Sequence, residues 1–251
     1  MQAQKVLALG DIHGQWHDPK AWNLVLSWLS DHPVDQIIQI GDWFDPTSLS
    51  HYEKGRARFL KNRSIDTEIA PVARQMAELR RLHSGDIHWL LGNHEAWLYQ
   101  WLDQHPEVGN RLNLENILPI DDHSITVHPS YPTKTFRIGK AHFTHGCFTG
   151  NNHLKRHLMA FGKPIFYGHT HEMSQLSHRW GVSGHQSVAV NIGFLAKYDL
   201  HYLKTPPSNW QQGFCVILFA PDGSFTHYLI PFSRYSFVCP CCEKRYGREK
   251  R

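Results

Sequence analysis

Residues 6–14 read VLALGDIHG: a run of apolar, β-prone residues ends in glycine, and an aspartate and a histidine follow at once. Four later stretches repeat this arrangement, and each places metal-binding or acid–base residue types directly after a candidate strand. They are IIQIGDWFD at 37–45, IHWLLGNHE at 87–95, AHFTHG at 141–146 and IFYGHTH at 165–171. Five strands with polar ends predict a sheet that gathers these side chains at one edge.

The segments between these strands show the periodicity of helices. Asp18 followed by Pro19 predicts a helix start, because aspartate caps a helix and proline suits its first turn. A second helix is predicted around residues 69–79, with Pro71 in its first turn or at a kink. A third is predicted to start just after Asn93. Strands that alternate with helices in this way are typical of an α/β fold.

The 251 residues are predicted to form one domain over residues 1–235, followed by a basic, cysteine-containing tail at 236–251. No internal repeat or Gly/Ser linker divides the chain. Three β-prone runs, at 187–192, 213–220 and 224–230, predict a second sheet that packs on the first. The fold class is therefore predicted to be α/β, with a two-sheet β-sandwich flanked by helices.

The composition excludes several classes of protein. Apolar residues make up 41% of the chain, which argues against disorder. No apolar stretch approaches the roughly 18 residues of a membrane-spanning helix, and the N-terminus does not read as a signal peptide. The five cysteines are an odd number and do not suggest a disulfide framework. We therefore expect a cytoplasmic protein that has no membrane partner.

The net charge of +4 comes from two short segments. Residues 53–63 carry a net charge of +4, residues 243–251 carry +3, and the remainder of the chain is negative. Basic segments of this kind bind the phosphates of a nucleotide or a nucleic acid, although a solvated helix face explains the same charges. Arg56 and Arg58 are the first candidates for such substrate contacts.

The strand ends offer side chains that bind divalent metal ions. Imidazole suits borderline first-row ions, and carboxylate and amide oxygens suit the harder ones. Two of the pairs, Asp11 with His13 and His169 with His171, are spaced by two residues. In extended backbone this spacing directs both side chains of a pair to the same side. The candidate ligands are Asp11, His13, Asp42, Asn93, His145, His169 and His171. Their positions after five separate strands indicate one shared metal site.

These five blocks resemble the signature of the calcineurin-like metallophosphoesterases, which runs D-x-H, G-D, G-N-H-[DE], a lone H and G-H-x-H. All five stand in that order between Gly10 and His171, about two-thirds of the chain. The resemblance implies a four-layer α-β-β-α sandwich, two divalent metal ions and hydrolysis of a phosphate-ester substrate. The later stretches 190–193 and 209–214 are similar to family members carried by bacteriophages and prophages.

The resemblance also implies a role for each residue in the blocks. The implied ligands of the first metal are Asp11, His13 and His171, those of the second are Asn93, His145 and His169, and the implied bridge is Asp42. His94 stands at the position of the family's catalytic histidine. Asp45 stands at the position of a second aspartate found in the serine/threonine phosphatase branch, and we expect its carboxylate to orient His94.

In such a dinuclear site, a metal-bridging hydroxide would attack phosphorus. Manganese is the ion expected first, and iron, zinc, cobalt or nickel would accept the same ligands. Phosphomonoesters are preferred over phosphodiesters or nucleic acid as substrates, because the sequence shows no large capping domain or channel-forming insert. The serine/threonine phosphatase branch carries an arginine after its second aspartate, whereas this chain has Pro46, which argues against protein substrates.

A second hypothesis comes from a different class of function. The same ligands would hold a structural metal ion in a non-catalytic nucleic-acid-binding module, and the two basic segments would bind the nucleic acid. His94 counts against this hypothesis, because a purely structural site has no use for an imidazole beside a ligand. The sequence does not indicate an oligomeric state.

The C-terminal cysteines predict a separate site. Cys239-Pro240-Cys241-Cys242 looks like half of a zinc ribbon, in which Cys239 and Cys242 would bind a structural zinc ion. The remaining ligands would come from Cys241, from a histidine elsewhere or from another subunit. The alternative is a reduced, flexible tail.

Overall fold

The structure is a computed structural model that describes residues 2–50, 60–61, 63–200, 203 and 209–247. The strands in this part of the chain are β1 (Gln4–Leu9), β2 (Gln36–Gln39), β3 (Asp86–Leu90), β4 (Ile125–His128), β5 (Phe136–Ile138), β6 (Ala141–Phe143), β7 (Ile165–Tyr167), β8 (Met173–Arg179), β9 (Gln186–Ile192), β10 (Gly213–Phe219), β11 (Phe225–Pro231), β12 (Phe237–Val238) and β13 (Arg245–Tyr246). The α-helices are α1 (Pro19–Asp31), α2 (Ile65–Leu82), α3 (Asn93–Gln104), α4 (Leu114–Ile117) and α5 (His153–Phe161), and 3-10 turns cover Gly14–Trp16, Thr47–Leu49 and Pro106–Leu112.

Two sheets form the centre of the molecule. The first has the strand order β11-β10-β1-β2-β3-β4, in which β1 to β4 are parallel and β10 and β11 are antiparallel additions at one side. The second has the order β5-β6-β7-β9-β8, in which β6, β7 and β9 are parallel and the two outer strands are antiparallel. A shared apolar core, which includes Val6 and Phe166, lies between them.

Helices cover the outer faces of both sheets. Strand β1 is buried on both sides, because its side chains alternate between the core shared by the sheets and a second core beneath α1 and α2. Val6 belongs to the first core and Leu7 to the second. On the other side of the molecule, Leu158 of α5 packs against Tyr167 of the second sheet. The predicted four-layer α-β-β-α sandwich is therefore confirmed.

The predicted helix starts agree with the structure. The Asp18 carboxylate accepts hydrogen bonds from the backbone N–H groups of Lys20 and Ala21 at 2.9 and 3.4 Å, with Pro19 as the first residue of α1. Helix α3 begins at Asn93. In α2, Pro71 lies in the second turn instead of the first, and its ring replaces a helical N–H donor there.

The structure assigns some strands to a different sheet from the one that the sequence predicted. Strands β10 and β11 were expected in the second sheet, but β10 pairs antiparallel with β1 in the first sheet. Strands β6 and β7, whose polar ends were expected at the edge of the first sheet, belong to the second. The physical reason is that apolar runs identify strands but carry little information about which distant strand each one pairs with. The polar ends therefore meet across two sheets.

Residues 236–247 pack on α1. Strands β12 and β13 form a hairpin, and Phe237, Cys239 and Tyr246 join the apolar core beneath that helix. The described part of the cysteine-containing segment is thus attached to the body of the molecule, and the boundary after residue 235 stays a prediction. Among the helices of the described residues, none combines the length and the apolar character needed to cross a bilayer.

Candidate metal centre

The loops that follow β2, β3, β6 and β7 line one cleft of about 570 Å³, and His13 of the loop after β1 contacts this lining through His171. The nine side chains of the five sequence blocks that were predicted to bind metal or to act in catalysis all belong to the contact network at this cleft. They are Asp11, His13, Asp42, Asp45, Asn93, His94, His145, His169 and His171. The carboxyl ends of parallel strands in both sheets point to the same region, which explains why residues so far apart in sequence meet there.

The backbone at these loop positions is left-handed. His13, Asp42, His169 and His171 have φ angles of 53°, 52°, 68° and 59°. This conformation is uncommon for residues other than glycine and is typical of functional sites, where surrounding contacts hold it. The expectation that extended backbone would aim the paired side chains was therefore wrong. Tight turns direct these side chains into the cleft.

Asp11, His13 and His171 form the first group of potential metal ligands. Their side chains are buried, and one ligand atom from each lies within 4.8 Å of the others. The Nε2 atom of His171 is 3.0 Å from Oδ2 of Asp11 and 3.1 Å from Nε2 of His13. Burial lowers the pKa of His171, so this imidazole stays neutral and keeps a lone pair for a cation. The group fits a divalent ion in composition and charge.

Asp42, His145 and His169 form the second group, with Asn93 beside it. His145 donates a hydrogen bond from Nδ1 to the carbonyl of Ile40 at 2.9 Å, which leaves Nε2 directed towards the cleft. There Nε2 faces two oxygens, Oδ1 of Asn93 at 2.9 Å and Oδ2 of Asp42 at 3.3 Å. Burial alone would lower the pKa of His145, but Asp42 outweighs it and raises that pKa to about 10. Positive charge is therefore favoured at this point, as a proton or as a metal ion.

His94 lies between two carboxylates. Its Nδ1 atom is 3.0 Å from Oδ1 of Asp45, and its Nε2 atom is 3.7 Å from Oδ2 of Asp42. The ring packs on Trp97, with 3.8 Å between the ring centroids. Burial lowers the pKa of His94, but Asp45 and Asp42 outweigh it and raise the pKa to about 9. The geometry favours an imidazolium that can donate a proton into the cleft.

Asp45 contacts both His94 and His13. Its second oxygen, Oδ2, lies 3.3 Å from Nδ1 of His13, and the hydroxyl of Thr47 donates to Oδ1 at 3.0 Å. Burial raises the pKa of Asp45, but His94 and His13 hold it below its ordinary value. A carboxylate behind the outer nitrogen of a metal-binding histidine fixes the orientation of that ring.

Glu95 is a residue of the site that sequence reasoning did not single out. Its carboxylate accepts hydrogen bonds from four backbone N–H groups, those of Asp42, Trp43, Phe44 and Gly92, at 2.7–3.0 Å. Burial, followed by the charge of Asp42, raises the pKa of Glu95 to about 7. It joins the loop after β2 to the loop after β3. The signal available in the sequence was an acidic residue in the first turn of a predicted helix.

Glycines in the blocks allow side chains from other blocks to approach closely. A Cβ atom at Gly168 would lie 2.1 Å from Oδ1 of Asp11, and one at Gly92 would lie 2.3 Å from Oδ1 of Asp42. These distances are far inside van der Waals contact, so any side chain at either position would displace a candidate ligand. The glycines are needed because the loops carrying the ligands touch one another.

The outcomes for the other predicted residues differ. Arg56 and Arg58 are outside the described residues. Cys239 and Cys242 lie beside the C-terminal end of α1 and not at the cleft. Trp97 lines the cleft because the first turns of α3 border it. Glu172, Asn209 and Trp210, which also line the cleft, were not predicted.

A family model described as calcineurin-like phosphoesterase matches residues 4–173 of the chain. Two curated relatives are each described as "Gene 54 protein". The one from Mycobacterium phage D29 is 28% identical over 228 residues, 84% of this chain and 88% of the relative. The one from Mycobacterium phage L5 is 26% identical over 231 residues, 86% of this chain and 89% of the relative. The predicted similarity to phage-encoded members of the family is confirmed by these relatives.

Solved structures that match the chain include a phosphoesterase from E. coli, Yfce, and Vacuolar Protein Sorting 29 from Cryptosporidium parvum. The first is 15% identical with a TM-score of 0.41, and the match covers 90% of this chain and 98% of that chain. The second is 14% identical with a TM-score of 0.44, and the match covers 93% of this chain and 100% of that chain.

Proposed function

The chain belongs to the calcineurin-like phosphoesterase family, and from this premise we propose that it hydrolyses small phosphate esters at a dinuclear metal centre in the cleft. The observation that carries the proposal is the meeting of five strand-end blocks, which places His13 and His171 beside Asp11, and His145 beside Asp42. Family membership supports metal-dependent hydrolysis of phosphoesters. The use of two ions and the residue roles below are our proposal.

Two groups of side chains would hold the ions. The proposed ligands of the first are Asp11, His13 and His171, those of the second are Asn93, His145 and His169, and the bridge is Asp42. Asp42 suits the bridging position because its carboxylate contacts His145 from the second group and lies close enough to Asp11 and His13 of the first group to interact with them electrostatically. This mixed set of nitrogen and oxygen ligands accepts manganese, which we expect first, and also iron, zinc, cobalt and nickel.

When bound, two such ions would supply positive charge for the phosphoryl oxygens and lower the pKa of a water molecule that serves as nucleophile. The chain's own residues would donate a proton and position the reacting groups. His94 is directed into the cleft, and its raised pKa of about 9 keeps it protonated at neutral pH. We assign to it the protonation of the leaving oxygen. Asp45 is a positioning residue, since it holds His94 and His13 in place.

The dimensions of the cleft favour a small substrate. A volume of about 570 Å³ is typical of pockets for small molecules. Trp97 and Trp210 provide apolar surface for the leaving group, and Asn209 provides hydrogen-bonding capacity. We therefore prefer phosphomonoesters as substrates.

Phosphodiesters are the second candidate substrates, and one observation favours them. Among the described residues that line the cleft, none is a lysine or an arginine. A monoester carries up to two negative charges on its phosphate, whereas a diester carries one and needs less compensation. Arg56 and Arg58 stay predicted contacts for a nucleotide or nucleic-acid substrate, outside the described residues.

Comparing p-nitrophenyl phosphate with bis-p-nitrophenyl phosphate, each with added Mn²⁺, tests the proposed function. We expect faster hydrolysis of the monoester, with loss of both activities in Asp42→Asn. Faster hydrolysis of the diester would replace the monoester preference with the second candidate. If neither ester is hydrolysed with any of the five metals, the enzyme proposal fails. Nucleic-acid binding that persists in Asp42→Asn, in a chain without hydrolysis, would support the non-catalytic alternative.

A further inference from the structure

A second cluster of metal-binding side chains lies at the C-terminal end of α1, away from the cleft. It comprises His32, which follows α1, and Cys239 and Cys242 of the C-terminal hairpin. One ligand atom from each residue lies within 4.8 Å of the other two. About 200 residues separate His32 from the cysteines in the sequence, so only the fold brings them together.

The hairpin turn and α1 place hydrogen-bond donors around the sulfur of Cys239. The N–H of Cys239 donates to the carbonyl of Lys244, and the N–H of Glu243 donates to the carbonyl of Cys239, both at 2.9 Å, which closes the turn. Backbone N–H groups of Cys241 and Cys242 are directed at the Cys239 sulfur. The indole Nε1 of Trp28 donates to the same sulfur at 3.2 Å. The sulfur of Cys239 is therefore held in a fixed position beside His32.

His32 is oriented towards that sulfur. Its Nδ1 atom donates a hydrogen bond to the carbonyl of Trp28 at 3.0 Å, so the lone pair of the neutral ring is on Nε2. The ring is stacked on Trp28, with 4.8 Å between centroids and 7° between planes, and it also contacts the ring of Tyr246. The Nε2 atom lies 3.7 Å from Sγ of Cys239. The histidine is therefore held in a position to bind a metal.

The observed separation matches a tetrahedral zinc site. Zinc–sulfur and zinc–nitrogen bonds of about 2.3 and 2.0 Å, at a tetrahedral angle, place the two ligand atoms about 3.5 Å apart. The sulfur-to-nitrogen distance of 3.7 Å is close to this value. Asp31 already accepts hydrogen bonds from Lys244 and Tyr246 and is not needed as a ligand. Cys241 and Cys242 are exposed, which leaves the fourth position open to Cys241 or to water.

We propose that His32, Cys239 and Cys242 bind a zinc ion that fastens the C-terminal hairpin to α1. Thiolate and imidazole ligands select zinc over magnesium, calcium or manganese, whose preferred ligands are oxygens. Each cysteine thiol releases its proton to solvent when the metal binds. The proposal does not depend on the function assigned to the cleft, because the two sites share no residue.

Cobalt substitution tests this site independently of the cleft. None of the nine residues proposed for the cleft is a cysteine, so a sulfur-to-cobalt charge-transfer band in the near ultraviolet reports only on the hairpin site. We expect metal-free protein titrated with Co²⁺ to develop this band. The band should disappear in Cys242→Ser, an exposed position whose substitution does not disturb the core. His32→Gln should weaken Co²⁺ binding by tenfold or more.

Cys147→Ser is the matched control, because Cys147 follows β6 and belongs to none of the potential ligand groups found among the described residues, so its loss should leave the band intact. X-ray absorption of the zinc form should show a sulfur shell near 2.3 Å. Absence of the band in the wild-type protein, or its persistence in a Cys239→Ser/Cys242→Ser double variant, would overturn the proposal. A Cys239–Cys242 disulfide in protein purified under reducing conditions would also overturn it.

Discussion

His94 and Glu95 are consecutive residues at the start of α3, yet they face in different directions. Neighbouring residues on a helix are rotated by about 100°, so one can enter the cleft while the other turns towards the backbone behind it. His94 contacts the carboxylates of Asp42 and Asp45. Glu95 binds four backbone N–H groups and holds two loops together. Substitutions at these two positions should therefore have separable effects on turnover and on stability.

Replacing His94 by alanine should remove a proton donor without removing a metal ligand. We expect His94→Ala to keep its metal content and to lose about 10²- to 10⁴-fold in kcat, which is the usual contribution of general acid–base catalysis. Steady-state kinetics and elemental analysis of the same sample measure both quantities. Asn93→Ala, one residue earlier, is the contrasting variant and should lower metal content. A fully active His94→Ala protein would remove His94 from the mechanism.

Replacing Glu95 by glutamine should destabilise the fold around the cleft. At pH 8 the carboxylate is ionised, since its pKa is about 7, and it accepts hydrogen bonds through both oxygens. The glutamine amide would direct an NH₂ group at two buried N–H donors, at a cost of about 3 kcal/mol in the free energy of unfolding. Urea denaturation measures this cost. Glu107→Gln, at an exposed site, is the control, and equal stability of the two variants would contradict the role given to Glu95.

At the scale of secondary structure elements, the strands and their polar ends could be predicted, but the shape of the turns could not. Apolar runs identified β1, β2, β3, β6 and β7, since periodicity and residue type are local properties of a sequence. The left-handed backbone at His13 and His169 could not be predicted, because these residues have no local preference strong enough to impose it. Contacts between loops impose that conformation after the fold has formed.

Helix α5 contributes a histidine whose hydrogen bonds require its neutral form. His157 donates from Nδ1 to the carbonyl of His153 at 2.8 Å, and its Nε2 accepts the N–H of Cys147, on the loop that carries His145, at 3.1 Å. Protonation would direct a new N–H at that donor. Burial lowers the pKa of His157 to about 4. Because the unfolded chain binds a proton below pH 6.5 and the folded chain does not, acid destabilises the fold at this residue.

The neutral His157 should therefore make its full contribution to the free energy of unfolding above pH 6.5. As the pH falls from 6.5 towards 4, this contribution should decrease by about 1.4 kcal/mol for each pH unit. In His157→Gln, the amide oxygen can accept the Cys147 N–H and does not titrate. Urea denaturation across this range should give a shallower acid loss for the variant than for the wild type. His185→Gln removes one exposed histidine as a control. Parallel curves for wild type and His157→Gln would show that the imidazole is not held neutral.

At the scale of the whole molecule, two sheets cooperate to form each group of potential ligands. Asp11 and His13 follow a strand of the first sheet, whereas His171 follows a strand of the second. The sequence indicated that these residues belong together, because their spacing matches a family signature. It did not indicate that His32 lies beside Cys239, since no motif joins them and only the packing of the hairpin on α1 brings them close.

The central claim is that the cleft hydrolyses phosphate esters with bound divalent metal ions. The most direct test is the rate of p-nitrophenol release from p-nitrophenyl phosphate by metal-free protein as Mn²⁺ is added, measured for the wild type and for Asp42→Asn. We predict no release without metal, activity that rises to a plateau in the wild type, and no comparable rise in the variant. Hydrolysis by the metal-free protein, or equal activation of Asp42→Asn, would contradict the claim.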